Sequence, residues 1–417
     1  MADLVDIVTL AQNSRSSRTF MANLPGIEKN AVLTNFRDNI IVSKGTLLKA
    51  NAIDVFNAKK KGLSNAFIER LTLDTSGIAS MVRSIAEIIA QPNPIGKFLS
   101  EWKRPSGLNI KKVQTPIGVI AIIYESRPNV TADAGALTFK SGNPSILRCG
   151  ADSINSCFEI FKLFRQSMAK YNVPDSCVQF INNPARELVE ELLKLDNFID
   201  VVIPRGGKDL ISVIRSTSQI PVFSHLDGVV HIYVDEHADP VKAFNVILNS
   251  KLRRVSICGA VECLLINKNF INNHEADFIP ALISEGVEIR GDEYIQDKFG
   301  TSSASKSDWG KEYLDKIIAC RVVKDVEDAV KHIDQFGSNH TDCIITENDE
   351  NASHFFSQLD SSIVLQNAST QFADGGEFGF GAEIGISTGR LHARGPIGLN
   401  ELTTFQYHVL GEGATRS

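Results

Sequence analysis

From Leu108 onward the chain repeats one pattern: a continuous apolar run, a short break, then a stretch with helical periodicity. Val119-Ile120-Ala121-Ile122-Ile123 sets the type. Five consecutive apolar residues suit a strand covered on both faces, not the alternation of a strand with one wet face. Ser145-Ile146-Leu147, Cys177 to Ile181 and Ile199 to Ile203 follow as strands. Each is succeeded by a helical stripe, carried first by Ile154, Cys157, Phe158, Phe161, Phe164 and Met168. The next two stripes are Leu188, Val189, Leu192 and Leu193, then Leu210, Ile211 and Ile214. A second series has strands at His231 to Val234, Cys263 to Ile266, Ile317 to Val323 and Asp342 to Thr346. Its helices are marked by Phe278, Leu282 and Ile283, and by Val326, Val330 and Ile333. Strands joined through helices by short connections run parallel. The pattern therefore predicts an α/β chain of two domains with parallel-sheet cores. Its 417 residues agree, since one hydrophobic core rarely serves so long a chain.

The first 95 residues or so read as packing helices. Leu47, Leu48, Ala52 and Val55 fit one apolar face; Ile78, Met81, Val82, Ile85, Ile88 and Ile89 fit another. At the other end, Leu402 to Val409 reads as an edge strand able to pair with a second subunit. A net charge of −6 argues against nucleic acid or anionic membrane as the main partner. No apolar run reaches the about 20 residues of a membrane-spanning helix. MADLVDIVTL lacks the basic opening of a signal peptide, so the expected setting is cytoplasmic and reducing. Seven cysteines occur without a CxxC, so neither a metal site nor a disulfide framework is expected.

Cys258 stands apart from the other six, which lie within or beside apolar elements. A helix opened by Asp239-Pro240, with Val241, Phe244, Ile247, Leu248 and Leu252 as its apolar face, ends before it, and a buried strand begins after it. Gly259 beside it permits close approach of a ligand to the backbone. Arg253 and Arg254 are candidates to lower the thiol from its usual value of about 8.5. On residue type alone, a lone intracellular cysteine is more often a small buried hydrophobe than a nucleophile. No GxGxxG occurs. Pro204-Arg205-Gly206-Gly207, between a strand and a helix, is either a tight turn or an anion site at a helix start. The glycine-dense run Asp374 to Gly385 is either a loop lining a site or a string of tight turns.

Several of these segments together resemble the γ-glutamyl phosphate reductase family, a divergent branch of the aldehyde dehydrogenase superfamily. They are PIGVIAIIYESRPNVTADAGALTFKSGN from Pro116, VIPRGG from Val202, GSNHTDCIITEN from Gly337, and DGGEFGFGAEIGIST with LHARGPIGLNELTT from Asp374. LLKANAIDVFNAKKKGLSNAFIERL also fits, so the likeness spans essentially the whole chain. It implies an aldehyde-dehydrogenase-like α/β fold with a small β oligomerisation element. Residues 1–228 would bind NADP(H), with 107–123 partly in an oligomerisation hairpin. Residues 229–384 would carry the catalytic cysteine, and 385–417 the substrate loop and oligomerisation strand.

The resemblance also implies a reaction: reduction of L-glutamyl 5-phosphate by NADPH through a thioester on Cys258, in proline biosynthesis. It implies a homo-oligomer and functional coupling to glutamate 5-kinase. Arg205, Gly206 and Gly207 would hold a cofactor phosphate, and Arg148 the adenosine ribose or its 2′-phosphate. Ala151 stands where the family usually has a lysine. Glu312 would meet the nicotinamide ribose. Arg127 and Arg394 would contact the substrate's anionic groups, with Asn367 at the border of the same pocket. Hydrolytic relatives carry a glutamate that activates water; the matching Ser224-His225-Leu226-Asp227-Gly228 has none, which favours a reductase. His225 is either structural or a replacement base. The oxyanion donor stays open between the Glu125–Pro128 segment and the backbone N–H of Cys258. Val255 replaces a usual proline and Gly259 a usual asparagine. The rival readings are a hydrolytic aldehyde dehydrogenase and a non-catalytic nucleotide-binding relative.

Overall fold

The computed structural model describes residues 6–274 and 278–416; the first five residues of the N-terminal reading lie outside them. The chain forms two compact units. The first comprises Met1–Ser224, Gly379–Gly385 and Pro396–Ser417, and the second His225–Phe378 and Ile386–Gly395.

In the first unit, β1 (Phe98–Lys103) and β2 (Asn109–Pro116) form an antiparallel pair. The C-terminal strand Thr403–Leu410 lies antiparallel on the other side of β2, with Thr403 opposite Pro116 and Leu410 opposite Asn109. The expected edge strand is thus present. Beside this small sheet stands a parallel one of β3 (Ile120–Tyr124), β4 (Ser145–Cys149), β5 (Val178–Phe180) and β6 (Val201–Arg205), in the order β5-β4-β3-β6. Every residue of β3 is buried, as its unbroken apolar run requires. The chain builds outward from β3 to β5 and then returns to the far side of β3 as β6. Such a reversal opens a crevice at the carboxyl ends of β3 and β6, where open α/β sheets bind ligands.

The N-terminal helices form as read, but one packs a different face. In Lys44–Lys60 the inward residues are Leu47, Ala50, Asn51, Asp54 and Ala58; Ala52 is exposed. Asp54 accepts from the Ser156 N–H at 2.8 Å and its hydroxyl at 2.5 Å, at the start of helix Ile154–Lys170. Asn51 donates to the Leu71 carbonyl and accepts from the Leu73 N–H, each at 2.8 Å. A buried helix start leaves N–H groups that need an acceptor, so two polar residues displaced alanine and valine from the inner face.

The second unit contains a parallel seven-stranded sheet. Its strands are β7 (Val230–Val234), β8 (Val261–Asn267), β9 (Glu288–Gly291), β10 (Ser302–Ser303), β11 (Ile317–Val323), β12 (Thr341–Ile345) and β13 (Ile363–Gln366), in the order β10-β9-β11-β8-β7-β12-β13. Successive side chains enter opposite cores: Ile232, Leu264, Ile266 and Ile318 one, Tyr233, Cys263, Leu265 and Ala319 the other. Both faces are covered, which is why these strands read as continuous apolar runs. Helix Pro240–Leu252 opens with the Asp239 carboxylate accepting from the Lys242 N–H at 2.8 Å. Its buried face is Ala243, Ile247, Ser250 and Lys251, while Val241, expected inside, sits in the first turn and faces out.

Candidate active site

Four contiguous strands of the second unit, β11, β8, β7 and β12, are entered by segments that carry reactive side chains. Glu312 lies ahead of β11, Cys258 ahead of β8, His225 and Gly228 ahead of β7, and His340 immediately ahead of β12. Neighbouring strands are about 4.8 Å apart, so these parallel entries converge. The cluster therefore forms at the amino edge of the sheet, opposite to the edge where such sheets commonly bind ligands.

Cys258 is half-buried, in a turn, and the other six cysteines are buried. Its sulfur and one ring nitrogen from each of His225 and His340 all lie within 4.8 Å of one another. The two imidazoles meet edge to face with centroids 4.9 Å apart. His225 Nδ1 is 2.8 Å from the Ile386 carbonyl oxygen, and His340 Nδ1 is 2.9 Å from the Thr341 hydroxyl. Burial on its own would push the thiol pKa up. The positive charge of His340 and hydrogen bonds from His225 and His340 outweigh it and hold the thiol well below its usual value. This corrects the expectation placed on Arg253 and Arg254. Both are exposed, and Arg253 turns to the Gln371 side-chain oxygen at 3.2 Å.

The turn is held from one side by the segment Ser369–Gln371. Thr370 Oγ1 donates to the Gly259 carbonyl at 2.7 Å, and the Gln371 amide donates to the Ser250 carbonyl at 2.8 Å. On the other side the backbone of Gly228 lies against Cys258. A β-carbon at Gly228 would stand 2.3 Å from the Cys258 carbonyl oxygen and 2.8 Å from its α-carbon. The Gly228 N–H donates to Glu312 Oε1 at 3.1 Å. Burial, and then the charge of Cys258, raise the Glu312 carboxyl pKa, so this carboxylate shares the thiol's surroundings. The loop bearing Glu312 is anchored below by a buried ion pair. Lys251 Nζ meets Glu262 Oε2 at 2.6 Å, and Glu262 Oε1 accepts from the N–H of Leu314, whose φ is +54°.

The remaining expected site residues lie elsewhere. Arg205 ends β6 and Gly206 and Gly207 follow it at the crevice of the first unit, with Glu125 and Arg127 following β3. Gly207 begins helix Lys208–Thr217 without a side-chain cap, and the space beside it is open. Glu125 Oε2 reaches the Gly207 N–H only at 3.5 Å, the outer limit of a hydrogen bond. Arg205 pairs with Glu383 at 3.7 Å. Arg148, at the end of β4, is turned inward and donates to the Pro184 carbonyl at 2.8 Å. Asn367 folds its side chain onto Thr346, accepting from its N–H at 3.0 Å and donating to its carbonyl at 2.8 Å. Arg394 is bound to Asp360, Nη1 to Oδ1 at 3.0 Å, and Arg390 shares that carboxylate.

His340 was not singled out from the sequence, although it sits in the GSNHTD segment. Its signal was positional: a histidine at the mouth of a core strand, as Cys258 is at the mouth of β8.

No protein-family model matches the chain. It is 47% identical over 421 residues to the gamma-glutamyl phosphate reductase of Parvibaculum lavamentivorans, covering 100% of this chain and 99% of that one. The chain belongs to the gamma-glutamyl phosphate reductase family. Its structure is similar to that of gamma-glutamyl phosphate reductase from Thermotoga maritima, with a TM-score of 0.95, 41% identity, and 99% and 100% of the two chains covered. An acetylating aldehyde dehydrogenase from Geobacillus thermoglucosidasius shares the fold at 15% identity, with a TM-score of 0.71 over 99% and 98% of the two chains. The fold is thus aldehyde-dehydrogenase-like.

Proposed function

We propose that this chain, an oxidoreductase by family, reduces L-glutamyl 5-phosphate to L-glutamate 5-semialdehyde with NADPH, as a step of proline biosynthesis. The half-buried Cys258 thiol held between His340 and His225 carries the reading. In this scheme the sulfur anion of Cys258 attacks the γ-carbonyl carbon, the carbon–oxygen bond to phosphate breaks, and a thioester remains. The histidine that took the thiol proton passes it to the departing phosphate. NADPH supplies the hydride that the thioester carbon needs. Once that carbon is reduced, its bond to sulfur breaks and Cys258 leaves as a thiolate. His340 and His225 stabilise the same charge as at the start. Glu312, tied to the Gly228 N–H, braces the turn that presents the thiol.

The first unit fits a dinucleotide: an uncapped helix start with open space beside Gly207, in a switch-point crevice, suits a phosphate. Arg205, Gly206 and Gly207 are assigned to it, with Arg148 near the adenosine ribose and Glu312 at the nicotinamide ribose. Arg127 and Arg394 are assigned to the substrate's carboxylate and phosphate, and Asn367 shapes the border through its Thr346 turn. Glutamate 5-kinase would supply the substrate. A homo-oligomer formed through the small antiparallel sheet is supported by its exposed Phe98, Trp102, Phe405 and Tyr407. Seven free cysteines suit a reducing cytoplasm, and among the described residues no helix is long and apolar enough to cross a membrane.

The test is the reverse reaction: NADPH formation from glutamate semialdehyde and NADP⁺, with and without inorganic phosphate. Turnover is expected only with phosphate. Phosphate-independent turnover would replace this reading with a hydrolytic aldehyde dehydrogenase, and equal efficiency with NAD⁺ would overturn the cofactor preference.

A further inference from the structure

L-Glutamyl 5-phosphate carries an α-ammonium as well as a carboxylate and a phosphate, and the arginines assigned above answer only its anionic groups. An enclosed ammonium calls for an anionic acceptor. The first unit offers one in helix Asn129–Lys140, which begins at the carboxyl end of β3 just after Arg127. Asp133 lies in its second turn and is half-buried. Its Oδ1 accepts from the Ser84 hydroxyl at 2.8 Å, and its Oδ2 from the Asn129 side-chain amide at 3.1 Å. Both donors are neutral. Burial pushes the carboxyl up to about 6 against the pull of these two hydrogen bonds, and no neighbouring cation contributes.

Other enclosed carboxylates are answered more fully. Glu262 has Lys251 at 2.6 Å, and Asp235 accepts from Tyr233, Thr346 and Asn351. Asp133 has one donor on each oxygen, and a carboxylate offers about four acceptor directions, so roughly two remain. Its surroundings also include the loop expected to line a site. Helix Thr75–Ala90 brings Ser84, Glu87 and, at its end, Gln91 to one face, since these spacings of three and four follow the helical turn. Gln91 donates to the Phe380 carbonyl at 2.5 Å, and a β-carbon at Gly381 would stand 3.1 Å from Glu87 Cβ. The glycine-dense loop thus lies along the helix face that holds Asp133, and exposed Asn129 leads from the same carboxylate to solvent. All of these residues belong to the first unit.

We propose that Asp133 accepts the α-ammonium of the substrate and so makes the enzyme selective for an amino acid. The assignment rests on the reaction proposed above. A primary ammonium supplies the donors that the remaining carboxylate directions lack, and its charge compensates one that burial leaves costly. A substrate without the amino group leaves that carboxylate unanswered, which is how a polar site rejects an analogue. A mere tie between two helices, the other use for Asp133, gives no preference among substrates.

The reverse reaction, with NADP⁺ and inorganic phosphate, is run on L-glutamate 5-semialdehyde and on 5-oxopentanoate, the same chain without the amino group. Rates are counted on the open-chain form, since a free amine can condense with the aldehyde. Wild type should favour the amino aldehyde in kcat/KM by roughly 30-fold or more, the effect of removing one partner from an enclosed charge pair. Asp133→Asn keeps the size and an acceptor oxygen for Ser84; it should lose roughly 30-fold on the amino aldehyde, mostly in KM, and less than about threefold on 5-oxopentanoate. The wild-type comparison serves even if the variant folds poorly: equal efficiency on the two aldehydes would overturn the proposal. So would an equal loss on both in Asp133→Asn, or transfer of the effect to Glu87→Gln. Turnover that needs no phosphate but keeps the dependence on Asp133 would change the reaction and leave the ammonium contact standing.

Discussion

Gly228→Ala tests how tightly the turn of the proposed nucleophile is built. The added β-carbon would stand 2.3 Å from the Cys258 carbonyl oxygen and 2.8 Å from its α-carbon, and both are backbone atoms with no rotamer to escape into. Real β-carbons keep at least about 3 Å from such atoms, so the Cys258 backbone must retreat by roughly 0.7–1 Å. Overpacking of this kind typically costs about 1–3 kcal/mol, which a unit with two large cores withstands. The loss of rate should be greater than that figure suggests. A misplacement of about 1 Å in a reacting group can cost roughly 100-fold. The expected result is a folded variant with a modestly lower melting temperature and kcat reduced about 100-fold. Stopped-flow turnover and thermal unfolding together decide it. Turnover within twofold of wild type would show that the thiol's position is not set by contact with Gly228.

Other consequences follow from the same contacts. A thiol with a depressed pKa is ionised above that pKa and loses reactivity only as pH falls through it. Alkylation of Cys258 by iodoacetamide should therefore stay fast at neutral pH, and in His340→Gln its midpoint should move to higher pH; an unmoved midpoint would remove His340 from thiolate stabilisation. Lys251→Met leaves Glu262, whose carboxyl burial already pushes up to about 7, without its partner. Urea unfolding should show a loss of about 3–5 kcal/mol, most of it recovered in Lys251→Met with Glu262→Leu. Gly206→Ala would drive a β-carbon to 2.8 Å from Glu125 Oε2 and 2.6 Å from Leu210 Cδ2. The KM for NADPH should rise roughly tenfold, about 1.4 kcal/mol, with kcat little changed.

The central strands of both parallel sheets were legible because they are buried on two faces and written as unbroken apolar runs; β9, β10 and β13, partly or wholly exposed, carry no such run and were not read. Cys258 was legible for the complementary reason, as the cysteine outside any such run. What the residues did not disclose was convergence. His225, Cys258, Glu312 and His340 are far apart in the chain, and only the order β11-β8-β7-β12 brings their segments together. His225 therefore read first as a strand-end structural residue. Electrostatic partners were misjudged where sequence proximity stood in for space: Arg253 and Arg254 precede the cysteine but are exposed, with Arg253 bonded to Gln371, while His340 acts from the entry to another strand. The buried faces of Lys44–Lys60 and Pro240–Leu252 were misread because Asn51, Asp54 and Lys251 turn inward to satisfy buried partners. Hydrophobic periodicity has no term for that.

The most direct measurement mixes the enzyme with glutamate semialdehyde and NADP⁺ in the absence of phosphate, then follows NADPH and digests the protein for mass spectrometry. A thioester mechanism expects a burst of one NADPH per active site, no further turnover, and a glutamyl group on the peptide carrying Cys258, all absent in Cys258→Ser. Sustained NADPH production, or an acyl group on a different side chain, would contradict it.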